Sequence, residues 1–454
     1  MELTHRSYER GQTVAAVATP HGVGGVAVIR ISGGRALSVA DRIFSGPVRT
    51  YRTHTVHFGK ILDARGDMID EGMALVMKAP KSYTGEDTVE IHCHGGMVIT
   101  RRVLHSAFAA GALPALPGEF TLKAFQNGKI DLTRAEAVQE VISSKGELAC
   151  QAAQRHLDGG LHNKIRSFQR QLVDIASTLE AWIDFPEEDI EDISQNGPLT
   201  AVKNLIEEMS ALHRSFHDGK ILQATLSLCL IGAPNVGKSS LMNAIIGKES
   251  SIVTHIPGTT RDVLKEEIQL AGLTFHLFDT AGIRKTQELI EQEGVARSYE
   301  AAREADLILL VLDVTNPTQQ LPPNLPKKQT IAVWNKIDLH HPPVPKLPFR
   351  HQVHISAKEG FGLDTLKSEI HHAIWRGDPP SKEELFLTNE RHYHALGVAI
   401  PPLFRVVEGL QNELSPELLI PDIQLSLREL GTIIGINITE EVLHAIFSKF
   451  CIGK

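Results

Sequence analysis

No apolar run in this chain approaches the roughly 18 residues a membrane-crossing helix needs. The start, Met1-Glu-Leu-Thr-His-Arg6, also lacks the charged-then-apolar pattern of a secretory signal. Cysteine is scarce: Cys93, Cys150, Cys229 and Cys451 lie too far apart to form a metal-ligand pair. Basic residues are not in excess, with 46 Lys and Arg against 54 Asp and Glu and a net charge of −8. That balance excludes a protein that coats nucleic acid broadly, although a local basic patch remains compatible with it. These absences predict a soluble protein of a reducing, cytoplasmic compartment. A length of 454 residues exceeds one compact domain, so two or three are expected, each with its own core.

What is present is concentrated at Gly232-Ala-Pro-Asn-Val-Gly-Lys-Ser239, a match to the phosphate-cradling pattern GxxxxGK[ST]. An apolar strand candidate, Thr225–Ile231, precedes it and a helical segment from Ser240 follows, the order such a loop requires. Glycines allow successive N–H groups to face the phosphates, and the helix start adds its positive dipole end. Lys238 supplies an ammonium and Ser239 a hydroxyl for Mg2+.

The base is read from Asn335-Lys336-Ile337-Asp338. A carboxylate at Asp338 accepts from both the ring N–H and the exocyclic amine of guanine, a donor pair adenine lacks. Asp279-Thr280-Ala281-Gly282 follows a strand candidate, with Asp279 directed to the Mg2+ shell and the Gly282 N–H to the γ-phosphate. Gly258-Thr259-Thr260-Arg-Asp262 supplies Thr260, a second hydroxyl for the metal, and Ser356-Ala357-Lys358 backs the guanine. Five elements in this order, each after the right kind of segment, define a GTP-binding domain. The expected GTP contacts are Asn235, Val236, Gly237, Lys238, Ser239 and Ser240, then Thr254, His255, Ile256 and Pro257 through Thr260, with the three later motifs.

Hydrolysis presents another absence. Ile283 follows Gly282, where Ras-like proteins place the glutamine that orients water, and no arginine finger can be assigned. This leaves room for a cation: K+ held by the Asn235 side chain and carbonyls of the Thr254–Thr259 loop could neutralise charge on the phosphoryl group. A replacement for the glutamine lies within Gln287–Glu293, where several acids and amides compete and spacing does not choose.

The GTP-binding unit is bounded at 217–380, with a mostly parallel sheet covered on both faces. It is flanked by helical texture at 119–216 and 381–454. Short helices need a partner surface, so the flanks are expected to pack together as one helical domain interrupted by the GTPase. In the first segment Val138, Val141, Ile142 and Leu148 follow helical spacing. Residues 1–118 read as a separate α+β domain with strands at Thr13–Thr19, Gly25–Ile31 and Thr88–Gly96. His92 and His94 share one face of the last strand, but no third ligand stands at a convincing spacing for zinc.

Several stretches together resemble one family, the bacterial and organellar tRNA modification GTPases called MnmE or TrmE. They are Ala18–Gly25, Tyr83–Asp87, Pro117–Leu132, Ile183–Glu188, Gly258–Asp262 and the terminal Phe450-Cys-Ile-Gly-Lys454, and the likeness spans the whole chain. Small departures occur at His21, where proline is frequent, and at Val23, where arginine is frequent. The resemblance implies a K+-activated GTPase, homodimeric through its N-terminal domain. It would work with the flavoprotein MnmG, which carries FAD, to add an aminomethyl or carboxymethylaminomethyl group at C5 of the wobble uridine of certain tRNAs. The one-carbon donor would be a tetrahydrofolate derivative. By motif position Arg30, Glu90, Lys129 and Lys454 match the folate contacts, and Asn235, Thr254, Ile256 and Thr259 match the K+ site. The family's water-orienting glutamate falls on Glu291, and Cys451 becomes a thiol carried into a site by a flexible tail. Lys454 at the last place is unsuited to a prenylation box around Cys451, and the plainer alternative for Cys451 is a small apolar residue capping the last helix. The other functional class compatible with the GTPase motifs is a ribosome-assembly switch without group-transfer chemistry. Such factors usually add a basic RNA-binding module that this sequence lacks.

Overall fold

The computed structural model describes residues 11–20, 22–184, 196–248, 266–278, 305–318, 321, 325–339, 343–375 and 384–454. In chain order the strands are β1 (Val14–Val17), β2 (Gly24–Ser32), β3 (Thr55–Leu62), β4 (Met68–Met77), β5 (Thr88–Gly95), β6 (Leu113–Pro114), β7 (Thr225–Ile231), β8 (Glu266–Leu270), β9 (Leu273–Phe278), β10 (Leu307–Asp313), β11 (Thr330–Asn335) and β12 (His351–His354). The helices are α1 (Ala36–Ile43), α2 (Met97–Ala109), α3 (Glu119–Gln126), α4 (Leu132–Ser143), α5 (Glu147–Leu157), α6 (Gly160–Asp184), α7 (Asn196–Arg214), α8 (Phe216–Gln223), α9 (Lys238–Lys248), α10 (Leu363–Ile374), α11 (Glu390–Gln411), α12 (Ile420–Ile434) and α13 (Glu440–Phe447). The described residues form two compact units. One comprises the chain up to Glu140 with His156–Lys203 and Val398–Lys454, and the other comprises Val141–Arg155 and Asn204–Gly397.

In the first unit a six-stranded sheet has the order β3-β4-β5-β2-β1-β6. Helices α1 and α2 cover one face, and Ile29, Ile31, Val39, Ile43, Ile91 and Val103 form the core between them. The other face is also partly apolar. Phe58 stands opposite Met73, Met73 opposite His92 and His92 opposite Val28, and both Phe58 and Met73 are exposed. This is why β3 and β4 escaped the sequence reading: with apolar residues on both faces, the period-two contrast that marks a half-buried strand is blurred.

The helical part of the same unit is built on α6, whose buried Leu161, Ile165, Phe168, Leu172, Ile175 and Leu179 recur every three or four residues along one stripe. That stripe packs along α12, which follows the nucleotide-binding segment in sequence. Flanks from both sides of the chain thus meet, with Gln169 Nε2 donating to Leu427 O at 3.4 Å. One expectation needs correction. The helical spacing from Val138 to Leu148 does not belong to one helix, because α4 ends at Ser143 and α5 begins at Glu147.

The second unit carries a six-stranded sheet ordered β12-β11-β10-β7-β9-β8, parallel except for the β8–β9 pair. Neighbouring residues on one strand enter opposite cores: Leu228 and Leu309 on one face, Cys229 and Leu310 on the other. Burial on both faces is why β10 reads as an uninterrupted apolar run. After β7 the chain builds β8 and β9 on one side and then β10 on the other, so the carboxyl end of β7 is a point where strand order reverses. Ligand crevices of open α/β sheets form at such points. The expected boundary at 377–380 lies outside the described residues.

Candidate functional site

The loop 232–237 leaves the end of β7, and α9 begins at Lys238. Two of its residues adopt left-handed backbone, Asn235 at φ 61° and Gly237 at φ 98°. At Gly237 the requirement is double, since a Cβ there would stand 2.2 Å from Asn335 Nδ2. The Lys238 ammonium donates to the carbonyls of Gly232 at 2.7 Å and Ala233 at 2.8 Å, and partial burial lowers its pKa. Ser239 and Ser240 are exposed at the first turn of α9, so the Ser239 hydroxyl is accessible to a hard cation.

Asn335, only 2% exposed at the end of β11, ties two loops together. Its Nδ2 donates to Val236 O at 2.9 Å, and its Oδ1 accepts from the Ala357 N–H at 3.0 Å. A buried amide with donor and acceptor both used fixes the 356–358 loop to the phosphate loop. Lys336 has φ 69° and pairs with Asp313 at 2.6 Å. Asp338 is exposed, and its Oδ1 accepts from the Ser356 hydroxyl at 2.6 Å. That hydrogen bond holds the Asp338 carboxyl below its ordinary pKa, so the group is an ionised acceptor at neutral pH.

The structure therefore brings together Asn235–Ser240, Asn335–Asp338 and Ser356–Lys358. Residues Thr254–Thr260, Asp279–Gly282 and Glu291 lie outside the described residues. Two features escaped sequence reasoning. One is the brace that the Asn335 side chain forms between two loops, beside the nucleotide contact expected of it. The Asp313–Lys336 pair was missed, although a carboxylate closing a buried strand at the crevice end was a signal available in the sequence.

A second cluster lies in the first unit. Arg30 on β2 and Glu90 on β5 are direct cross-strand neighbours, and their side chains pair at 2.8 Å. The Arg30 guanidinium stands over the rings of Phe120 and Tyr83, 5.5 and 5.9 Å from their centroids. The C-terminal residues close on the same place: Arg30 Nη1 donates to Gly453 O at 3.3 Å, and the Phe120 N–H donates to Lys454 O at 3.2 Å. Burial, with the neighbouring Arg30 charge, lowers the pKa of Lys454.

The tail is thus seated rather than flexible. Gly453 is what lets it approach: its φ is 101°, and a Cβ would come within 2.3 Å of Val17 O. The Cys451 thiol is exposed and so does not act as an apolar cap of the last helix. The Lys129 ammonium donates to Pro80 O at 3.1 Å. Gly453→Ala should unseat the tail. Strain of about 1–3 kcal/mol predicts that the Phe120 N–H, bonded to Lys454 O, exchanges with solvent roughly tenfold faster than in the parent protein, and equal rates would contradict the docked tail.

Comparison with known proteins places these sites in a family. Residues 132–451 match the family model of the MnmE helical domain, and residues 13–129 match that of the GTP-binding protein TrmE N-terminus. The chain is 54% identical to the tRNA modification GTPase MnmE of Protochlamydia amoebophila (strain UWE25) over 100% of both chains. It is 42% identical to the protein of that name from Chlamydia pneumoniae, over 97% of this chain and 99% of that one. Among solved structures, the G domain of the FeoB iron transporter of T. maritima is 27% identical over 34% of this chain and 100% of its own, with a TM-score of 0.23. Identity sustained over the full length, together with family models that match residues 13–129 and 132–451, shows that the chain belongs to the MnmE family of tRNA modification GTPases.

Proposed function

We propose that the protein hydrolyses GTP in a K+-dependent manner and, with the flavoprotein MnmG, adds a carboxymethylaminomethyl or aminomethyl group at C5 of the wobble uridine of certain tRNAs. The carbon comes from a tetrahydrofolate derivative. The observation that carries this reading is the convergence of Arg30, Glu90 and Lys454 on one place in a chain that also presents a guanine-type acceptor at Asp338. Glu90 spends one oxygen on Arg30, and its remaining lone pairs suit the amine and N–H donors of a pterin. Arg30 and Lys454 provide positive charge for carboxylates, with Lys129 available to a longer ligand tail.

On the GTP side, Asp338 accepts from guanine, while Lys238 and the N–H groups of the phosphate loop hold the phosphates. Ser239 and Thr260 are assigned to Mg2+. Asn235, Thr254, Ile256 and Thr259 are assigned to K+, which when bound offsets charge building on the phosphoryl group. Asn235 is exposed and holds a left-handed backbone conformation in the phosphate loop, in keeping with that role. Glu291 orients the attacking water. The protein is a homodimer in this proposal, and the exposed apolar row containing Phe58 and Met73 supports a contact with a second copy through the N-terminal sheet. Cys451 is assigned to the modification step.

Calorimetric titration with 5-formyltetrahydrofolate tests the reading. The parent protein should bind in the micromolar range, and the Arg30→Ala, Glu90→Ala double variant should lose at least about thirtyfold in affinity, as expected for charge-assisted hydrogen bonds. Absence of binding by a folded, GTP-competent protein would favour an assembly switch instead. In parallel, replacing K+ by Na+ should slow GTP hydrolysis by at least about tenfold, and equal rates would remove K+ from the mechanism.

A further inference from the structure

The hairpin formed by β8 and β9 turns through Ala271 and Gly272, both with positive φ, at 55° and 74°. This is the turn type that matches the twist of a two-residue hairpin. Its tip is held by the short linker between α4 and α5. The Leu148 N–H donates to Gly272 O at 3.3 Å, Gln269 Nε2 donates to Lys145 O at 2.6 Å, and the Lys145 ammonium pairs with Glu267 at 2.6 Å. The fit is close as well as polar. A Cβ on Gly146 would stand 2.9 Å from Gly272 O, and one on Gly272 would stand 2.9 Å from Leu148 Cγ. Leu148 also packs on the core of the nucleotide-binding sheet. The break in helical spacing at 144–146 is therefore what allows this grip.

The other end of the same hairpin leads to nucleotide-contacting chain. β9 runs parallel to β7, whose end is the phosphate loop, and Asp279 follows it directly in sequence. β8 is preceded in sequence by the segment bearing Thr260. A six-residue strand spans about 20 Å, and β9 is hydrogen-bonded along both edges, so the hairpin is stiff. Helix α5, which begins at the grip, runs on to Leu157, beyond the last residue of this unit's segment at Arg155.

We propose that Lys145, Gly146 and Leu148 are coupling residues, through which the nucleotide state sensed at one end of the β8–β9 hairpin reaches the helices at the other. The inference rests on the GTPase reading above. Because coupling between two sites is reciprocal, a partner that shifts α5 would also change GTP affinity.

Hydrogen exchange of the full-length chain, followed by mass spectrometry with GDP and with a non-hydrolysable GTP analogue, tests this. The peptide containing Leu148 should exchange at rates differing by at least about fivefold between the two nucleotides, since its N–H is bonded to the hairpin tip. Lys145→Ala with Gln269→Ala should abolish that difference while the protein still binds both nucleotides. If the double variant melts at a lower temperature, Lys145→Ala alone should still reduce the difference, because that side chain is mostly exposed. Nucleotide-independent exchange at Leu148 in a parent protein that binds GTP would overturn the inference, as would an undiminished difference in the variants. Titration of the same samples separates the two levels: no nucleotide binding at all would remove the GTPase reading together with this one.

Discussion

Gly237→Ala should weaken GTP binding by at least about a hundredfold while leaving both units folded. The residue stands at φ 98°, where a side chain costs about 1–2 kcal/mol. The new Cβ would also stand 2.2 Å from Asn335 Nδ2, so the amide must move. Moving it breaks the bonds to Val236 O and to the Ala357 N–H, and each buried group left unsatisfied costs about 1–3 kcal/mol. About 2.7 kcal/mol of that total falling on the binding-competent arrangement is enough for a hundredfold loss. Titration with a fluorescent GTP analogue measures it. Gly237→Ala combined with Asn335→Gly should be less damaging than the two losses added together, because both act through the same brace. Additive losses would show that Asn335 does not couple the loops.

The second large effect is a change of base. Asp338→Asn should lower GTP affinity by roughly a thousandfold and make xanthosine triphosphate the tighter ligand. A carboxylate accepts from both donors of guanine, whereas an amide directs its own N–H at one of them, and a site built around such bonds discriminates by about 10^4 when they are mismatched. Xanthine carries a carbonyl in place of the exocyclic amine, which restores the match. Asp338 is exposed, so the substitution should leave the melting temperature unchanged. The same geometry gives a pH dependence. The Ser356 hydroxyl holds the Asp338 pKa below its ordinary value of 3.8, so GTP affinity should stay flat as pH falls through 5 and decline only in more acid solution. Retained guanine preference in Asp338→Asn would mean that another group reads the base.

How much of this was legible in the sequence depended on how local each requirement is. The phosphate loop and the 335–338 turn could be read because their backbone demands, positive φ at Gly237 and Lys336 and a strand just before each, are written within a few residues. The doubly buried sheet was equally legible, since β10 has no polar face to confuse the pattern. β3 and β4 were hidden by apolar residues such as Val56 and Phe58 on their exposed face. The α4–α5 break at Ser144-Lys145-Gly146 carries no proline, and its local signal, Gly146 after two serines, is weak because an isolated glycine is tolerated within a helical pattern. Only the hairpin tip that fills it explains its place. The roles of Asn335 as a brace and of Gly453 as a docking point depend on partners far away in sequence, and no local pattern encodes those.

The docked tail also has a consequence in time. Arg30 and Gly453 are separated by 423 positions, so their contact closes a loop that contains the whole nucleotide-binding unit. At about 5–20 residues per second, a ribosome that has made Arg30 needs roughly twenty to eighty-five seconds more to reach Gly453. The N-terminal sheet, whose strands all lie before residue 115, can fold during that interval with Arg30 and Glu90 already paired across it. The site they form with Lys454 is therefore assembled only after the nucleotide-binding unit has been made, and its completion registers that everything between has been made.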